Sequence, residues 1–124
     1  MTLLDTCILI DVLRGREPAV AFVNSLPDRP ALSVITATEL VAGVRTTAER
    51  RDVDRLLETY LIVGIDLEIA KLAGEYVHRY GRSHSVDPIG ALIAAAAKVS
   101  GADLATLNVK RCPMFDGLVP PYRI

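Results

Sequence analysis

TLLDTCILIDVLRG, residues 2–15, is the stretch that sets the predicted fold class of this 124-residue chain. The apolar run at 2–4 predicts a short buried strand that ends at Asp5. The mostly apolar run at 7–13 stops at Gly15 and predicts a helix that follows the strand almost directly. A strand joined to a helix in this way is the repeating unit of α/β proteins.

The same alternation continues along the chain. Further strands are predicted at 31–34, 61–65 and 104–107, and further helices at 18–26, from a cap at Thr36, at 50–60, from a cap at Asp66 to about 80, and from a cap at Asp87 to 99. This rhythm predicts one α/β domain over residues 1–124, with helices on both faces of a central parallel sheet. The Pro-rich tail at 113–124 is predicted to be irregular, apart from an edge strand near Leu118.

Composition and charge exclude several classes of protein. The 15 acidic and 14 basic residues give a formal charge of -1, which argues against a strongly basic nucleic-acid coat protein. These counts do not exclude an enzyme that binds a nucleic acid at a small local site. With no Trp, four Tyr and two Phe, the chain is not expected to bind RNA mainly by base stacking. Cys7 and Cys112 lack the spacing of a structural zinc site.

We expect a cytoplasmic protein that does not span a membrane. The longest apolar run, at 91–97, is too short to cross a bilayer. The apolar start at 1–10 carries Asp5 and lacks the basic leader of a signal peptide. In this location both cysteines would be reduced.

Three acidic residues are candidates for chemistry, because functional sites in open parallel sheets lie at the carboxyl ends of strands. Asp5 lies at such an end, although it could also be a simple helix cap. Glu39 has apolar and small neighbours and could face inward, but taken alone a solvent-facing position is favoured. Asp87 opens the central helix, where a plain cap is the competing interpretation.

Several converging carboxylates would form a site for a hard cation. Mg²⁺ prefers a few carboxylates and retained waters, and such ions activate water in phosphodiester hydrolysis. Asp11 and Asp116 are further acids that could lie near the site. Otherwise, Asp11 would lie on the surface and Asp116 in a turn. The sequence contains neither a glycine-rich nucleotide loop nor the GxSxG motif of serine hydrolases.

A basic cluster is formed by Arg45, Arg50, Arg51 and Arg55. Such a cluster is most often a solvated helix face. The functional alternative is a local phosphate-binding strip that offsets the near-neutral overall charge.

Four segments together resemble those of PIN-domain ribonucleases, especially the VapC toxins of bacterial type II toxin–antitoxin pairs. They are LDTCILIDVLRG (4–15), SVITATEL (33–40), ALIAAAA (91–97), and LNVK (107–110) followed by PMF (113–115). The resemblance covers nearly the whole chain in order, and the combination is specific although no single segment is.

The resemblance implies a PIN-like three-layer sandwich, in which helices lie on both sides of a central parallel sheet. It implies Mg²⁺ or Mn²⁺ held by clustered acids and hydrolysis of RNA, typically tRNA or rRNA. It also implies a homodimer and a cognate VapB-type antitoxin that blocks the site. Asp5 and Glu39 match the first two catalytic and metal-binding acids of the family.

The third acid departs from the family pattern. Relatives usually carry Asp immediately before the Ala-Leu-Ile-Ala run, where this chain has Gly90. Asp87 lies three residues earlier, and a carboxylate at the helix cap could reach toward the same space, so Asp87 is the expected third acid. Asn108 matches a polar position near the family's site, and Asn108, Asp116 and Thr6 are candidates for a supporting residue or a fourth acid.

Two alternatives to an active ribonuclease toxin remain at this point. A degenerate toxin would bind its antitoxin but cleave poorly, because Gly90 replaces the usual third acid. A PIN nuclease outside any toxin pair would act on DNA or on structured RNA.

Overall fold

The computed structural model describes residues 1–123, and Ile124, the last residue of the predicted tail and domain, lies outside the described part. The elements are β1 (Thr2–Leu4), α1 (Thr6–Leu13), α2 (Glu17–Ser25), β2 (Ala31–Ser33), α3 (Val34–Ala42), α4 (Thr47–Thr59), β3 (Leu61–Val63), α5 (Leu67–Tyr80), α6 (Pro88–Ser100), β4 (Asp103–Ala105) and a 3₁₀ turn at Val109–Arg111. The strands pair in parallel in the order β3-β2-β1-β4. This topology confirms the predicted α/β fold with a parallel sheet.

Neighbouring residues of β1 enter two different hydrophobic cores, because successive side chains of a strand point to opposite faces of the sheet. Leu3 is fully buried and packs with Leu104 and with side chains of α5 and α6. Leu4 is also fully buried and packs with Leu32 and with side chains of α1 and α4. Helices therefore cover both faces of the sheet, which confirms the three-layer arrangement.

Helix α6 lies centrally, as its apolar composition predicts. Asp87 caps it by accepting the N–H of Gly90 at 2.7 Å, and Pro88 occupies the first turn, where a missing N–H costs little. Residues 93–97 are all buried against the sheet side of the molecule and α5. Across residues 1–123, every helix falls short of the length and apolarity that a membrane span requires.

The start of α3 corrects one prediction. Thr36 does not cap this helix; Ser33 does, since its Oγ accepts the N–H of Ile35 at 3.2 Å. The strand β2 passes into the helix without a loop, so Thr36 falls within the first helical turn and is fully buried. Its hydroxyl can therefore form hydrogen bonds inside the protein.

The tail also differs from expectation, because no strand follows β4 within residues 1–123 and the predicted edge strand near Leu118 is absent there. The tail is anchored by Tyr122, whose hydroxyl donates to Oδ2 of Asp11 at 2.7 Å and whose ring packs near Phe22. Burial and this hydrogen bond raise the pKa of Tyr122, so the phenol stays protonated. Asp11 is therefore buried under the tail, where Arg16 also contacts it at 3.6 Å.

Gly101 ends α6 in the left-handed conformation, with φ +68 and ψ +25. Replacing Gly101 by Ala should lower the free energy of unfolding by about 1 kcal/mol, because a Cβ is disfavoured in this conformation. Gly74→Ala is the matched control, since Gly74 lies inside α5 and a Cβ there meets no atom within 4 Å among the described residues. The control should raise the same quantity by up to about 1 kcal/mol. Urea titration measures both, and changes of equal sign and size would contradict this account.

Candidate active site

Asp5 at the carboxyl end of β1 and Leu104 of β4 border a cavity of about 340 Å³, here called the acidic cavity. Asp5, Glu39 and Asp87 all line it. Asp5 precedes α1, Glu39 lies within α3, and Asp87 precedes α6, so each acid arrives on a different helix. The fold thus brings the three predicted acids to the edge of the sheet where parallel strands place functional groups.

Asp5 is half-buried, and each of its carboxylate oxygens accepts a hydrogen bond. Oδ1 accepts the N–H of Thr6 at 2.8 Å, which is the helix cap. Oδ2 accepts the hydroxyl of Thr106 at 2.6 Å. Thr106 is fully buried just after β4 and itself accepts the N–H of Asn108 at 3.0 Å. Asp5 therefore caps α1 and lines the cavity at the same time.

Glu39 is exposed, but a row of hydroxyls holds its carboxylate. Its Oε1 accepts the hydroxyl proton of Thr6 at 2.6 Å, and Oγ1 of Thr6 lies 3.0 Å from Oγ1 of Thr36. Since Thr6 has a single hydroxyl proton and gives it to Glu39, Thr36 must be the donor to Thr6. Because Thr6 directly follows Asp5, this row ties the two acids together.

Asp87 is exposed and uses Oδ1 to cap α6 through Gly90. A Cβ at Gly90 would meet, within residues 1–123, only that Oδ1 atom, at 3.2 Å. The space in which the family pattern places an acid is therefore open toward the cavity. Among the described residues, Asp87 is the acid that the start of α6 contributes.

The donor set of the acidic cavity fits a hard divalent cation. Carboxylate oxygens are the ligands that Mg²⁺ and Mn²⁺ prefer, and Mg²⁺ usually keeps several waters. In residues 1–123, no three His, Cys, Asp or Glu side chains lie close enough to hold one ion together. The three acids therefore suit an ion that keeps several of its waters.

The other candidates fall in different places. Asn108 lines the acidic cavity, and Thr6 links its two tethered acids. Asp116 is not brought there: it lines a separate groove at the end of α6 and β4. Asp116 lies there because the neighbouring residue Phe115 is held beside α6. The ammonium group of Lys98, in α6, lies 4.4 Å from the centroid of the Phe115 ring. The hypothesis of a fourth acid at Asp116 is therefore dropped.

Two thiols also line the acidic cavity. Cys7 is half-buried, and its Sγ lies 3.7 Å from Oδ2 of Asp5. Burial, together with the charge of Asp5, raises the pKa of Cys7. The same causes raise the pKa of Cys112 to about 11. Both thiols are therefore neutral at pH 7 and leave the negative charge of the cavity to its carboxylates.

Sequence reasoning missed the parts played by Thr106 and Thr36. Thr36 lies inside the quoted segment 33–40, and Thr106 directly precedes the segment 107–110. A hydroxyl residue at the end of an apolar strand, as in Leu104-Ala105-Thr106, was the pattern that could have identified the second. Neither contact was foreseeable in detail, because the partners are 30 and 101 residues away.

Comparisons with known proteins find similar sequences and a similar fold. A family model described as PIN domain matches residues 2–110. Ribonuclease VapC10 of Mycobacterium tuberculosis is 44% identical over 127 residues, with 100% of this chain and 95% of that protein covered. Ribonuclease VapC19 of the same organism is 37% identical over 126 residues, with 98% and 100% covered. A chain in a toxin-antitoxin complex from Klebsiella pneumoniae superposes with a TM-score of 0.87 at 29% identity, covering 100% of both chains.

The raised pKa of Cys112 predicts slow alkylation. In a Cys7→Ser variant at pH 8, Cys112 should react with iodoacetamide at least about tenfold more slowly than free cysteine, because the thiolate is scarcer when the pKa is about 11 and its higher nucleophilicity offsets only part of this. The rate should rise about tenfold per pH unit until the pKa is reached. Mass spectrometry of timed samples measures it, and a rate near that of free cysteine at pH 8 would contradict the assignment.

Proposed function

The chain belongs to the PIN-domain family and, within it, to the VapC ribonucleases, and we propose that it is a toxin that hydrolyses RNA phosphodiester bonds. The observation that carries the proposal is the tethered pair of Asp5 and Glu39 in the acidic cavity: the N–H of Thr6 donates to Asp5, and its hydroxyl donates to Glu39. Two carboxylates that one residue holds at the same cavity are suited to binding a divalent cation beside a phosphodiester. We take residues 1–124 as a single PIN domain.

Asp5, Glu39 and Asp87 are the residues that would hold Mg²⁺ or Mn²⁺. The ion, when bound, would supply the activation of water and the stabilisation of the leaving oxygen. The chain's own groups set the geometry: Thr106 fixes Oδ2 of Asp5, and Thr6 fixes Oε1 of Glu39. A carboxylate of the cavity that is not engaged by the ion would accept the proton of the attacking water.

The proposed partners follow from the family. The similar Klebsiella pneumoniae chain is part of a toxin-antitoxin complex, which supports a VapB-type antitoxin as the inhibitor of this protein. We further propose a homodimer, and tRNA or rRNA as the substrate. An enzyme with this substrate would act in the cytoplasm, where both thiols would be reduced.

Neither alternative gains a specific observation in its favour. The two Mycobacterium tuberculosis relatives bear the name ribonuclease, which supports RNA over DNA as the substrate class. A weakly cleaving toxin was inferred from Gly90 alone, yet Asp87 lines the cavity within reach of the same space.

Asp5→Asn should abolish most of the RNA cleavage, by more than about 100-fold, since loss of a metal-binding carboxylate costs more than loss of its hydrogen-bond partners. The variant should fold, because Asn caps a helix as well as Asp does. Cleavage of total RNA with Mg²⁺ or Mn²⁺ is followed on gels. Asp54→Asn on the exposed face of α4 is the control and should cleave like wild type. Equal cleavage by Asp5→Asn and wild type would overturn the proposal.

Thr106→Val should lower the cleavage rate by roughly 10- to 100-fold, which is the cost typical of losing a group that orients a metal ligand. The reason is that Oδ2 of Asp5 loses its 2.6 Å donor. The Mg²⁺ concentration for half-maximal rate should also rise, and Thr106→Ser, which keeps the hydroxyl, should restore both quantities. If Thr106→Val unfolds no more readily than Thr106→Ser and keeps the wild-type rate and Mg²⁺ dependence, the positioning role is wrong.

A further inference from the structure

We propose that RNA leaves the acidic cavity along an adjoining basic groove, which binds the phosphates that flank the scissile bond. The basic groove is formed by Ser83, His84 and Ser85 before α6 and by Lys110 and Arg111 in the 3₁₀ turn. This inference rests on the proposed function, because it specifies how the same site would bind its substrate.

The basic groove and the acidic cavity are continuous. Ser85 and Arg111 line both, so a strand whose phosphate sits near Asp5 and Glu39 can continue past these two residues into the groove. The groove has a volume of about 630 Å³, larger than the acidic cavity. An extended polymer needs an open groove beside the point of cleavage to accommodate its neighbouring nucleotides, whereas a small molecule does not need one.

The charge of the basic groove suits a polyanion. The cationic side chains of Lys110 and Arg111 are exposed, and among the described residues no carboxylate lines the groove. Neither cation forms an ion pair within residues 1–123. Cations that have no acidic partner can exchange their counterions for phosphates, which is the main source of affinity for nucleic acids.

The groove also presents neutral donors in defined positions. The hydroxyl of Ser83 and Nδ1 of His84 lie 2.7 Å apart, and the His84 ring packs edge-on against Tyr80 with centroids 5.7 Å apart. Ser85 adopts a φ of +55, which is uncommon for a residue other than glycine. Hydroxyl groups of this kind commonly contact phosphate oxygens.

The competing phosphate-binding surface, the arginine cluster around α4, is less suitable. Arg50 lies 3.1 Å from Asp54 and Arg55 lies 3.8 Å from Asp52, so two of its four cations are paired with carboxylates on the same helix. Glu49 lies in the first turn of this helix and adds further negative charge. These contacts favour the interpretation of the arginine cluster as a solvated helix face.

The test compares two double variants that remove the same charge. Lys110→Ala/Arg111→Ala alters the basic groove, and Arg50→Ala/Arg51→Ala alters α4; all four side chains are exposed. Binding of a fluorescently labelled single-stranded RNA of mixed sequence is measured by anisotropy in EDTA, which prevents cleavage. The groove variant should raise Kd at least about tenfold and reduce the slope of log K against log salt by about 1.4, because each lost phosphate contact accounts for about 0.7. The α4 variant should change Kd less than about twofold.

The outcomes separate this inference from the proposed function. If the wild type cleaves RNA with Mg²⁺ but the groove variant binds RNA as tightly as wild type, or no more weakly than the α4 variant, the groove assignment is overturned and the function stands. If the wild type neither binds nor cleaves RNA, both fail. Lys110→Glu alone, a charge reversal on one exposed side chain, gives an independent measure and should weaken binding more than Lys110→Ala.

Discussion

The hydroxyl of Thr106 donates to Oδ2 of Asp5 at 2.6 Å, and this bond joins the carboxyl ends of the neighbouring strands β1 and β4. A half-buried carboxylate at this place needs donors, since burying an unsatisfied charge is costly. The hydroxyl of Thr106 supplies one donor, and the N–H of Thr6 supplies the other. Thr106 is held in place by β4, which it directly follows, and Thr6 is held by α1, which it begins. The position of Asp5 is therefore set by the sheet itself, and the acidic cavity is built around that position.

The donors that hold the acids are neutral, which decides what the cavity can bind. Thr6, Thr36 and Thr106 orient Asp5 and Glu39 through hydroxyl groups, and none of the described ion pairs involves either acid. An arginine or lysine in their place would orient the carboxylates equally well but would cancel their charge. Hydroxyl donors leave the charge in place, and an added divalent cation is the species that gains most from it.

Two helix caps were predictable from the sequence, although the cap of α3 is Ser33 and not Thr36, whereas contacts across the fold were not predictable. Asp66 and Asp87 cap helices through N–H groups three residues ahead, so one short window contains both partners. The hydroxyl of Thr36 meets its partner 30 residues away and that of Thr106 meets one 101 residues away, so only the strand order brings them together. Asp116 failed as a candidate for the same reason, because the path of the tail beside α6 is set by a tertiary contact.

The net charge of -1 conceals a strong separation of charge over a short distance. Three acids line the acidic cavity, while Lys110 lines the adjoining groove and Arg111 lies at the boundary between the two. Before a cation binds, the acids would repel an RNA strand that the groove attracts. Once a divalent cation neutralises the cavity, both regions favour phosphate, so RNA affinity near the cleavage point depends on the loaded ion. A uniformly basic surface would bind RNA equally well with or without the ion, whereas here the groove binds in either state and only the contribution of the cavity depends on the ion.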